Sequence, residues 1–425
     1  MNTPYVVYST PDGAIATEPR LRAIDYTGQP LKAGDLLPLP DGATLSMLPQ
    51  RLACGQTADG KRATIPARKG WALAALLPIG YTRAHLPAYT KTPETEPLPF
   101  FGYTAVAAID GQMYVAALAT DDPQKWHPDA FNRKNLQRLV QQRLAAEPGN
   151  RVLAHHAHCA LDYACPTASN LFFQRWEGAI AVSPGCNARC IGCISKQDEE
   201  NLVSPQDRLT FIPTVEEIVA VAVAHLEQAP DAIVSFGQGC EGEPLLQARR
   251  IEQAMRAIRA RTTRGTLNIN TNASNPRALQ RLYDAGLDSL RASTISAVPE
   301  TYNAYYRPIG YRFEDVKRSL LLAREAGVYS SINFLLFPGL ADAEDEVEAM
   351  VAFLRETGVR LVQLRNLNID PEVLLPRLPA PRGRPIGIAA LIETLRRELP
   401  DLRVGNFSLP IQRQQPQESA APLPH

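Results

Sequence analysis

The stretch CNARCIGC, residues 186–193, places three of the chain's seven cysteines within eight positions. It follows the apolar run GAIAV (178–182), whose composition is typical of a buried strand. Zinc and iron–sulfur centres are held by cysteine thiolates, usually with four protein ligands. Three thiolates on a four-iron cluster would leave one iron open to a substrate or cofactor. The spacing therefore favours a catalytic cluster, and a zinc site, a redox role or simple packing are the alternatives.

Strand and helix patterns alternate from about residue 175 onward. The strands after GAIAV are predicted at 232–236, 266–270, 289–293, 329–337 and 360–364. The first helix begins at Thr214, because Thr214 and Glu217 fit a capping box. The later helices are predicted at 245–261, 276–285, 313–326, 343–357 and 388–399. This alternation predicts an α/β fold with a parallel sheet, either doubly wound or rolled into a barrel.

Unusual residues follow the predicted strands at the points where they end. The cysteines follow the first strand, and GQGCEGEP (237–244) follows the second. NTNAS (270–274) and STIS (293–296) follow the third and fourth. Since α/β enzymes assemble their active sites at the carboxyl ends of parallel strands, the pattern predicts one functional site there.

These motifs resemble the radical S-adenosylmethionine (radical SAM) superfamily. Cys186-x3-Cys190-x2-Cys193 resembles its CxxxCxxC motif, and EGEP (241–244) resembles its GGEP motif. Residues 287–307 and 325–350 are similar to the fourth-strand and fifth-strand regions of cofactor-maturing members. The resemblance implies a partial (β/α)6 TIM-like barrel over residues 175–405.

The resemblance also implies two cofactors, a [4Fe-4S] cluster and S-adenosyl-L-methionine (SAM). Cys186, Cys190 and Cys193 would bind iron, and SAM would chelate the open iron. An electron from an external low-potential donor of the flavodoxin or ferredoxin type would then cleave SAM. The resulting 5′-deoxyadenosyl radical would abstract hydrogen from a small-molecule or peptide substrate. The cofactors carry the difficult chemistry, and the protein orients them.

Other site residues are carried over by their position in the motifs. Glu243, with the backbone of Gly242 and Pro244, matches the segment expected at the SAM amino group. The remaining candidates are Ser293 or Asn272 at the ribose, Arg291 at the carboxylate, and Asn333 on the fifth strand. Asn333 alternates with apolar neighbours and would face the interior; a structural amide is the equal alternative.

One position departs from the family pattern. The family usually has an aromatic or bulky residue immediately before the last cysteine, and this chain has Gly192. A surface for the adenine ring must then come from elsewhere, such as Ile191 or the fifth strand.

Several polar residues outside the motifs have two interpretations. His155, His156, His158, Cys159 and Cys165, with Cys54, would form a second metal site or would be ordinary packing residues. Cys240 would be a small packing residue or a catalytic thiol that donates a hydrogen atom. Arg307 and Arg365 would bind an anionic substrate group or pair with surface acids.

The remainder of the chain divides into three parts. Residues 1–150 are predicted to form a mostly β domain, with a hairpin turn at Asp110-Gly111. Residues 151–174 are interpreted as a linker that carries the His/Cys cluster. Residues 406–425 lack apolar content and are predicted to be a disordered tail.

Composition limits the partners. The 44 basic and 44 acidic residues balance, which gives no electrostatic reason to expect nucleic acid or a membrane surface. Neither an export signal nor a long apolar run is evident, so a cytoplasmic enzyme is expected. Two rival functions stay open: an activase that places a glycyl radical on a protein partner, and a non-catalytic iron–sulfur or zinc protein.

Overall fold

The computed structural model describes residues 3–131, 133–197, 200–238 and 240–411. The predicted tail lies mostly outside these residues, at 412–425. In its described part, Phe407 stacks on Trp126, and the Ser408 hydroxyl donates a hydrogen bond to Glu177.

The N-terminal part is mostly β, as expected. Its strands are β1 (Tyr5–Ser9), β2 (Ile15–Arg22), β3 (Leu37–Pro38), β4 (Thr44–Met47), β5 (Arg51–Gln56), β6 (Arg62–Thr64), β7 (Trp71–Leu76), β8 (Tyr81–Arg83), β9 (Tyr89–Lys91), β10 (Tyr103–Thr104), β11 (Val106–Ile109), β12 (Gln112–Val115) and β13 (Ala117–Ala119). They pair in antiparallel fashion in one large sheet and in the β8–β13 pair. The predicted hairpin is confirmed, because Ile109 pairs with Gln112 across Asp110 and Gly111, both with positive φ.

Three helices connect this β domain to the rest of the chain: α1 (Arg133–Ala146), α2 (Arg151–Leu161) and α3 (Pro166–Phe173). The segment 151–174, interpreted as a linker, thus contains two helices. The Asn150 side chain caps α2 by accepting a hydrogen bond from the N–H of Leu153. Leu153 and Phe172 are buried in the main core, so both helices are integral to the fold.

Six strand–helix units follow, with a seventh strand at the end. In chain order the elements are β14 (Glu177–Ile180), α4 (Val215–Gln228), β15 (Ile233–Phe236), α5 (Ala248–Arg259), β16 (Thr266–Thr271), α6 (Pro276–Asp284), β17 (Ser289–Thr294), α7 (Pro299–Tyr306), α8 (Phe313–Glu325), β18 (Tyr329–Leu336), α9 (Glu344–Thr357), β19 (Leu361–Asn366), α10 (Pro371–Leu374), α11 (Ile388–Glu398) and β20 (Arg403–Gly405). The strands are all parallel and pair in chain order from β14 to β20. The predicted barrel is confirmed, and the short β20 is an addition to it.

Alternate residues of these strands face opposite sides. On β17, Leu290 and Ala292 belong to the apolar core, whereas Arg291 donates a hydrogen bond to Glu177 of β14. β14 and β17 are not neighbours in the sheet, so this bond crosses the inside of a curved sheet. The interior of the barrel is therefore polar, and its helix-facing side is apolar.

The β domain packs against the chain that leaves β19. Arg51 of β5 forms an ion pair with Asp370 at 2.7 Å, and both side chains are completely buried. Nearby, the N–H of Phe101 donates to the carbonyl of Asn368. These contacts fix the β domain beside the carboxyl ends of the barrel strands. Among the described helices, none combines the length and the apolar character needed to cross a membrane.

Candidate active site

The three motif cysteines lie in the loop that follows β14. Cys186, Cys190 and Cys193 are free thiols and each is partly exposed. Backbone hydrogen bonds hold this cysteine loop (186–193) to the last turn of α7 and to the segment that follows it. The N–H of Ile191 donates to the carbonyl of Tyr305 at 3.0 Å, and the N–H of Ile309 donates to the carbonyl of Asn187 at 2.8 Å.

EGEP (241–244) lies directly beside the chain that leads into the cysteine loop. The N–H of Gly242 donates to the carbonyl of Ser183 at 2.7 Å, and the N–H of Glu243 donates to that of Gly185 at 2.8 Å. A Cβ at Gly242 would stand 1.8 Å from the Gly185 oxygen, so only glycine permits this approach. The Glu241 carboxylate completes the contact by accepting hydrogen bonds from the N–H groups of Val182 and Ser183.

Glu243 connects EGEP to the end of β16. Its Oε1 accepts hydrogen bonds from the N–H of Leu245 and the Thr271 hydroxyl, and its Oε2 accepts one from the N–H of Asn272 at 2.8 Å. Burial raises the pKa of Glu243 to about 7. The Asn272 side chain in turn donates from Nδ2 to Oδ1 of Asn187 at 2.7 Å. The loops after β14, β15 and β16 are thus joined into one structure.

These residues fit an iron–sulfur cluster. The candidate ligands are three thiols on one loop. Burial raises the pKa of Cys186 and Cys190, so both are thiols in the absence of a metal. Bound iron would convert them to thiolates. Within the described residues, no group of three or more His, Cys, Asp or Glu is arranged so that it could hold a metal ion. A four-iron cluster spaces its thiolate ligands more widely than one ion does, so the three cysteines would not have to converge on one point to bind it.

The structure explains why position 192 is a glycine and not the bulky residue that is usual in the family. Its φ is +60°, and a Cβ there would lie 2.7 Å from Cγ1 of Ile369. Ile369 follows β19 and is buried, so it occupies the space that a bulky residue at position 192 would need. Ile191, one of the alternatives for packing against adenine, is itself buried.

Sequence reasoning missed Arg208. Its guanidinium donates from Nη2 to the sulfur of Cys193 at 3.4 Å and from Nε to the hydroxyl of Ser195 at 3.1 Å. Arg208 lies in the irregular chain before α4, where no motif distinguishes it from a surface arginine.

The structure places the candidates of β17 and β18 inside the barrel. Arg291 faces inward but is occupied by Glu177 and Ser408, so its guanidinium is already paired. Asn333 accepts a hydrogen bond from Nε of Arg365 at 3.3 Å. Ser293 pairs in register with Asn333 and is partly exposed.

Two residues considered for catalysis or substrate binding have structural partners instead. The Cys240 thiol is buried, lies 3.4 Å from the sulfur of Cys159 on α2 and donates to Oε1 of Gln206 at 2.8 Å. These partners place it against α2 rather than among the inward side chains of the barrel. Arg307 pairs with Glu200 at 2.7 Å.

The His/Cys cluster does not assemble as a metal site. His156 accepts a hydrogen bond from the N–H of Ala181, and burial lowers its pKa to about 3. His158 of α2 contacts Asp162, which immediately follows the helix. Cys54 accepts a hydrogen bond from Arg62 in the β domain, away from the cluster. Cys159 contacts His155 and Cys240, and burial raises the pKa of Cys165.

Residues 180–354 match the family model described as the radical SAM superfamily. Similar solved structures include methylornithine synthase (PylB), at 13% identity and a TM-score of 0.39, covering 64% of this chain and 75% of that one. HydG, a maturase of the FeFe-hydrogenase, has 14% identity, a TM-score of 0.40, and coverage of 64% and 63%. Streptococcus suis SuiB bound to S-adenosylmethionine has 15% identity, a TM-score of 0.38, and coverage of 59% and 56%. No curated protein matches the chain.

Proposed function

We propose that this chain, whose residues 180–354 match the radical SAM family model, is a radical SAM enzyme that cleaves SAM reductively at a [4Fe-4S] cluster bound by Cys186, Cys190 and Cys193. When bound, the cluster and SAM supply a 5′-deoxyadenosyl radical, which abstracts a hydrogen atom from the substrate. An external donor of the flavodoxin or ferredoxin type supplies the electron. The observation that carries the proposal is the hydrogen-bond network that joins the cysteine loop, EGEP and residues 271–274.

We propose that the Glu243 carboxylate binds the amino group of SAM. An ionised carboxylate has about four acceptor positions, and three are used by Leu245, Thr271 and Asn272. One position on Oε2 is left for an ammonium group. Since burial raises the Glu243 pKa to about 7, a neighbouring cation would also keep the carboxylate ionised. The backbone N–H groups of Gly242 and Glu243, which donate to Ser183 and Gly185, hold this carboxylate beside the cysteine loop, and we propose that Gly242 and Pro244 position it for SAM.

Ser293 is the preferred candidate for binding the ribose of SAM. Its hydroxyl forms no hydrogen bond with the described residues and is partly exposed on the inner side of β17. Asn272 is the weaker candidate, because its amide already donates to Asn187. Asn333, which pairs with Ser293 across β17 and β18, would lie beside the same ligand.

We further propose that the β domain forms one wall of the substrate entrance. The Arg83 guanidinium donates to the carbonyl of Leu367, and the N–H of Arg83 donates to Oδ1 of Asn366. Both acceptors lie at or just after the end of β19. A substrate that approaches this edge of the barrel therefore meets the β domain, whether it is a small molecule or a peptide.

The test is anaerobic reconstitution with iron and sulfide, reduction, and assay of 5′-deoxyadenosine after addition of SAM. Wild type is expected to form 5′-deoxyadenosine, and Cys190→Ala is expected to form none. A reconstituted wild-type protein that neither binds nor cleaves SAM, with or without reductant, would contradict the proposal.

A further inference from the structure

A row of polar side chains lines the inside of the barrel across β17, β18 and β19. Strand register aligns Ser293, Asn333 and Gln363, and Arg365 lies on the same side of β19 as Gln363 because side chains alternate. Ser293, Asn333 and Arg365 are partly exposed, whereas Leu364, which faces the helices, is buried. Solvent therefore reaches Ser293, Asn333 and Arg365, but not Gln363, from inside the barrel.

The two arginines of this interior have different partners. Arg291 donates from Nη1 to Glu177 at 3.1 Å, and both side chains are almost fully buried. Arg365 donates from Nε to Oδ1 of Asn333 at 3.3 Å and from Nη2 to Oε1 of Gln363 at 2.7 Å. In the described ranges of the chain, no carboxylate lies at ion-pairing distance from Arg365. Only the Arg291 charge is neutralised by a direct partner.

The neighbouring acid Asp121 does not pair directly with Arg365 either. Its carboxylate accepts a hydrogen bond from the backbone N–H of Asn406. Burial lowers the pKa of Arg365 to about 10, so the guanidinium is still charged at neutral pH. Arg365 is only partly exposed, so its charge is partly desolvated, and a ligand that carries a counter-charge would stabilise it.

Gln363 supplies an independent sign of a missing partner. It is completely buried, and its Nε2 has no hydrogen-bond partner within the part of the chain that the structure describes. Its Oε1 is occupied by Arg365, so the amide and the guanidinium form one unit with unused donors. Buried donors are rarely left unpaired. A carboxylate has two acceptor oxygens and one negative charge, and guanidinium groups bind it in bidentate fashion.

We infer that Arg365, supported by Gln363 and Asn333, binds a carboxylate group of the substrate. This inference rests on the proposed function, because it names a feature of the molecule from which hydrogen is abstracted. A monoanion is favoured over a phosphate dianion, since Glu177 and Asp121 place negative charge near Arg365. SAM also carries a carboxylate, and the experiment must separate the two sources.

Arg365→Met and Arg291→Met form a matched pair of variants, each compared with wild type as the reconstituted full-length chain. Arg365→Met removes an unpaired charge and is expected to leave Tm unchanged or higher. Arg291→Met leaves the buried Glu177 carboxylate without its partner and is expected to lower Tm by about 5 °C or more. A fall in Arg365→Met as large as that in Arg291→Met would show a structural role for Arg365 and overturn the inference.

Two binding measurements identify the source of the carboxylate. Sodium acetate is expected to raise the Tm of wild type above its value in sodium chloride of equal ionic strength, and to have no such effect on Arg365→Met. The dissociation constant of SAM, measured by equilibrium dialysis, is expected to agree within about twofold between the two proteins. The absence of an acetate effect in wild type, or SAM binding about tenfold weaker in Arg365→Met, would overturn the assignment to the substrate.

The inference and the proposed function fail in different ways, because neither binding measurement requires SAM cleavage. If wild type neither binds nor cleaves SAM but acetate stabilises it through Arg365, the proposed function is wrong and the anion site stands. If wild type cleaves SAM and acetate has no effect, the anion site is wrong and the proposed function stands.

Discussion

The guanidinium of Arg208 donates a hydrogen bond to the sulfur of Cys193 across 3.4 Å. A positively charged donor on a cluster thiolate stabilises the reduced cluster, which carries the additional negative charge. We expect Arg208→Met to lower the midpoint potential of the reconstituted cluster by on the order of tens of millivolts. A redox titration followed by electron paramagnetic resonance measures this shift.

The control for this variant is Arg249→Met, which removes an exposed arginine of α5. It is expected to leave the potential unchanged. Equal midpoint potentials in wild type and Arg208→Met, at equal iron content, would show that Arg208 does not tune the cluster.

Gly192→Ala is expected to destabilise the cysteine loop. An alanine there must adopt φ of +60° and place its Cβ 2.7 Å from Ile369. Strain and overpacking together should lower the free energy of unfolding by about 1–3 kcal/mol and reduce the iron retained after reconstitution. Chemical denaturation and iron analysis measure the two effects.

Gly310→Ala is the matched control for Gly192→Ala. Gly310 has φ of +75°, but a Cβ there meets nothing within 4 Å, so this variant carries the backbone strain without the contact. Gly192→Ala should therefore lower the free energy of unfolding more than Gly310→Ala does, and the difference should shrink when Ile369 is also replaced by Ala, which removes the Cγ and Cδ atoms of the contact. Equal losses in the two alanine variants would rule out the Ile369 contact as the cause.

The six strand–helix units could be predicted from the sequence because their signals are local. The capping box of α4 is present as predicted, with Thr214 and Glu217 each hydrogen-bonded to the other's backbone. The helices α2 and α3 were missed, because HHAHCALDYAC (155–165) has the composition of a metal site. In the structure His156 and Cys159 are buried, so part of this polar sequence belongs to the core.

Breaking the ion pair between Arg51 and Asp370 is expected to be strongly destabilising. Both side chains are completely buried, so Arg51→Met leaves the Asp370 carboxylate without its counter-charge. We expect a loss of about 3–5 kcal/mol in the free energy of unfolding, measured by urea denaturation. The double variant Arg51→Met/Asp370→Leu should recover much of this loss, because no unpaired charge is then buried. A double variant no more stable than Arg51→Met would contradict this explanation.

The raised pKa of Asp121 should make the free energy of unfolding depend on pH. Burial raises its pKa to about 6 from an ordinary value of 3.8, so the folded state binds the proton more tightly than the unfolded state. Below pH 3.8, the pKa of Asp121 in the unfolded chain, protonated Asp121 makes its full contribution to the free energy of unfolding. This contribution is lost as the pH rises through about 6, the pKa in the folded protein. Asp121→Asn removes this loss.

We therefore expect Asp121→Asn to be more stable than wild type at pH 7.5 by about 1–2 kcal/mol, with allowance for the partial exposure of Asp121. The advantage should shrink towards pH 4.5. Urea denaturation of both proteins across this range measures it, and stability curves that stay parallel throughout would contradict the prediction.

The position of the site could be predicted from the sequence, but its supporting contacts could not. The sequence predicts that the cysteines and EGEP follow two strands of one sheet, and in the structure they follow β14 and β15. Arg208 and Ile369 reach the cysteine loop through tertiary packing, from segments without any motif. The pairing of Arg291 with Glu177 depends on the curvature of the sheet, which no single strand encodes.

Cys240 is expected to take no part in hydrogen transfer, because its thiol contacts Cys159 and Gln206. Cys240→Ala should form 5′-deoxyadenosine within about twofold of the wild-type rate, while Cys190→Ala forms none. Carrying out the reaction in D2O makes the test direct, since every exchangeable thiol then carries deuterium. A Cys240 thiol that gave its hydrogen atom to the 5′-deoxyadenosyl radical would label the 5′-deoxyadenosine in wild type. Mass spectrometry should find the same deuterium content in the 5′-deoxyadenosine formed by wild type and by Cys240→Ala. A deuterium label that is present with wild type and absent with Cys240→Ala would show that the thiol does donate a hydrogen atom.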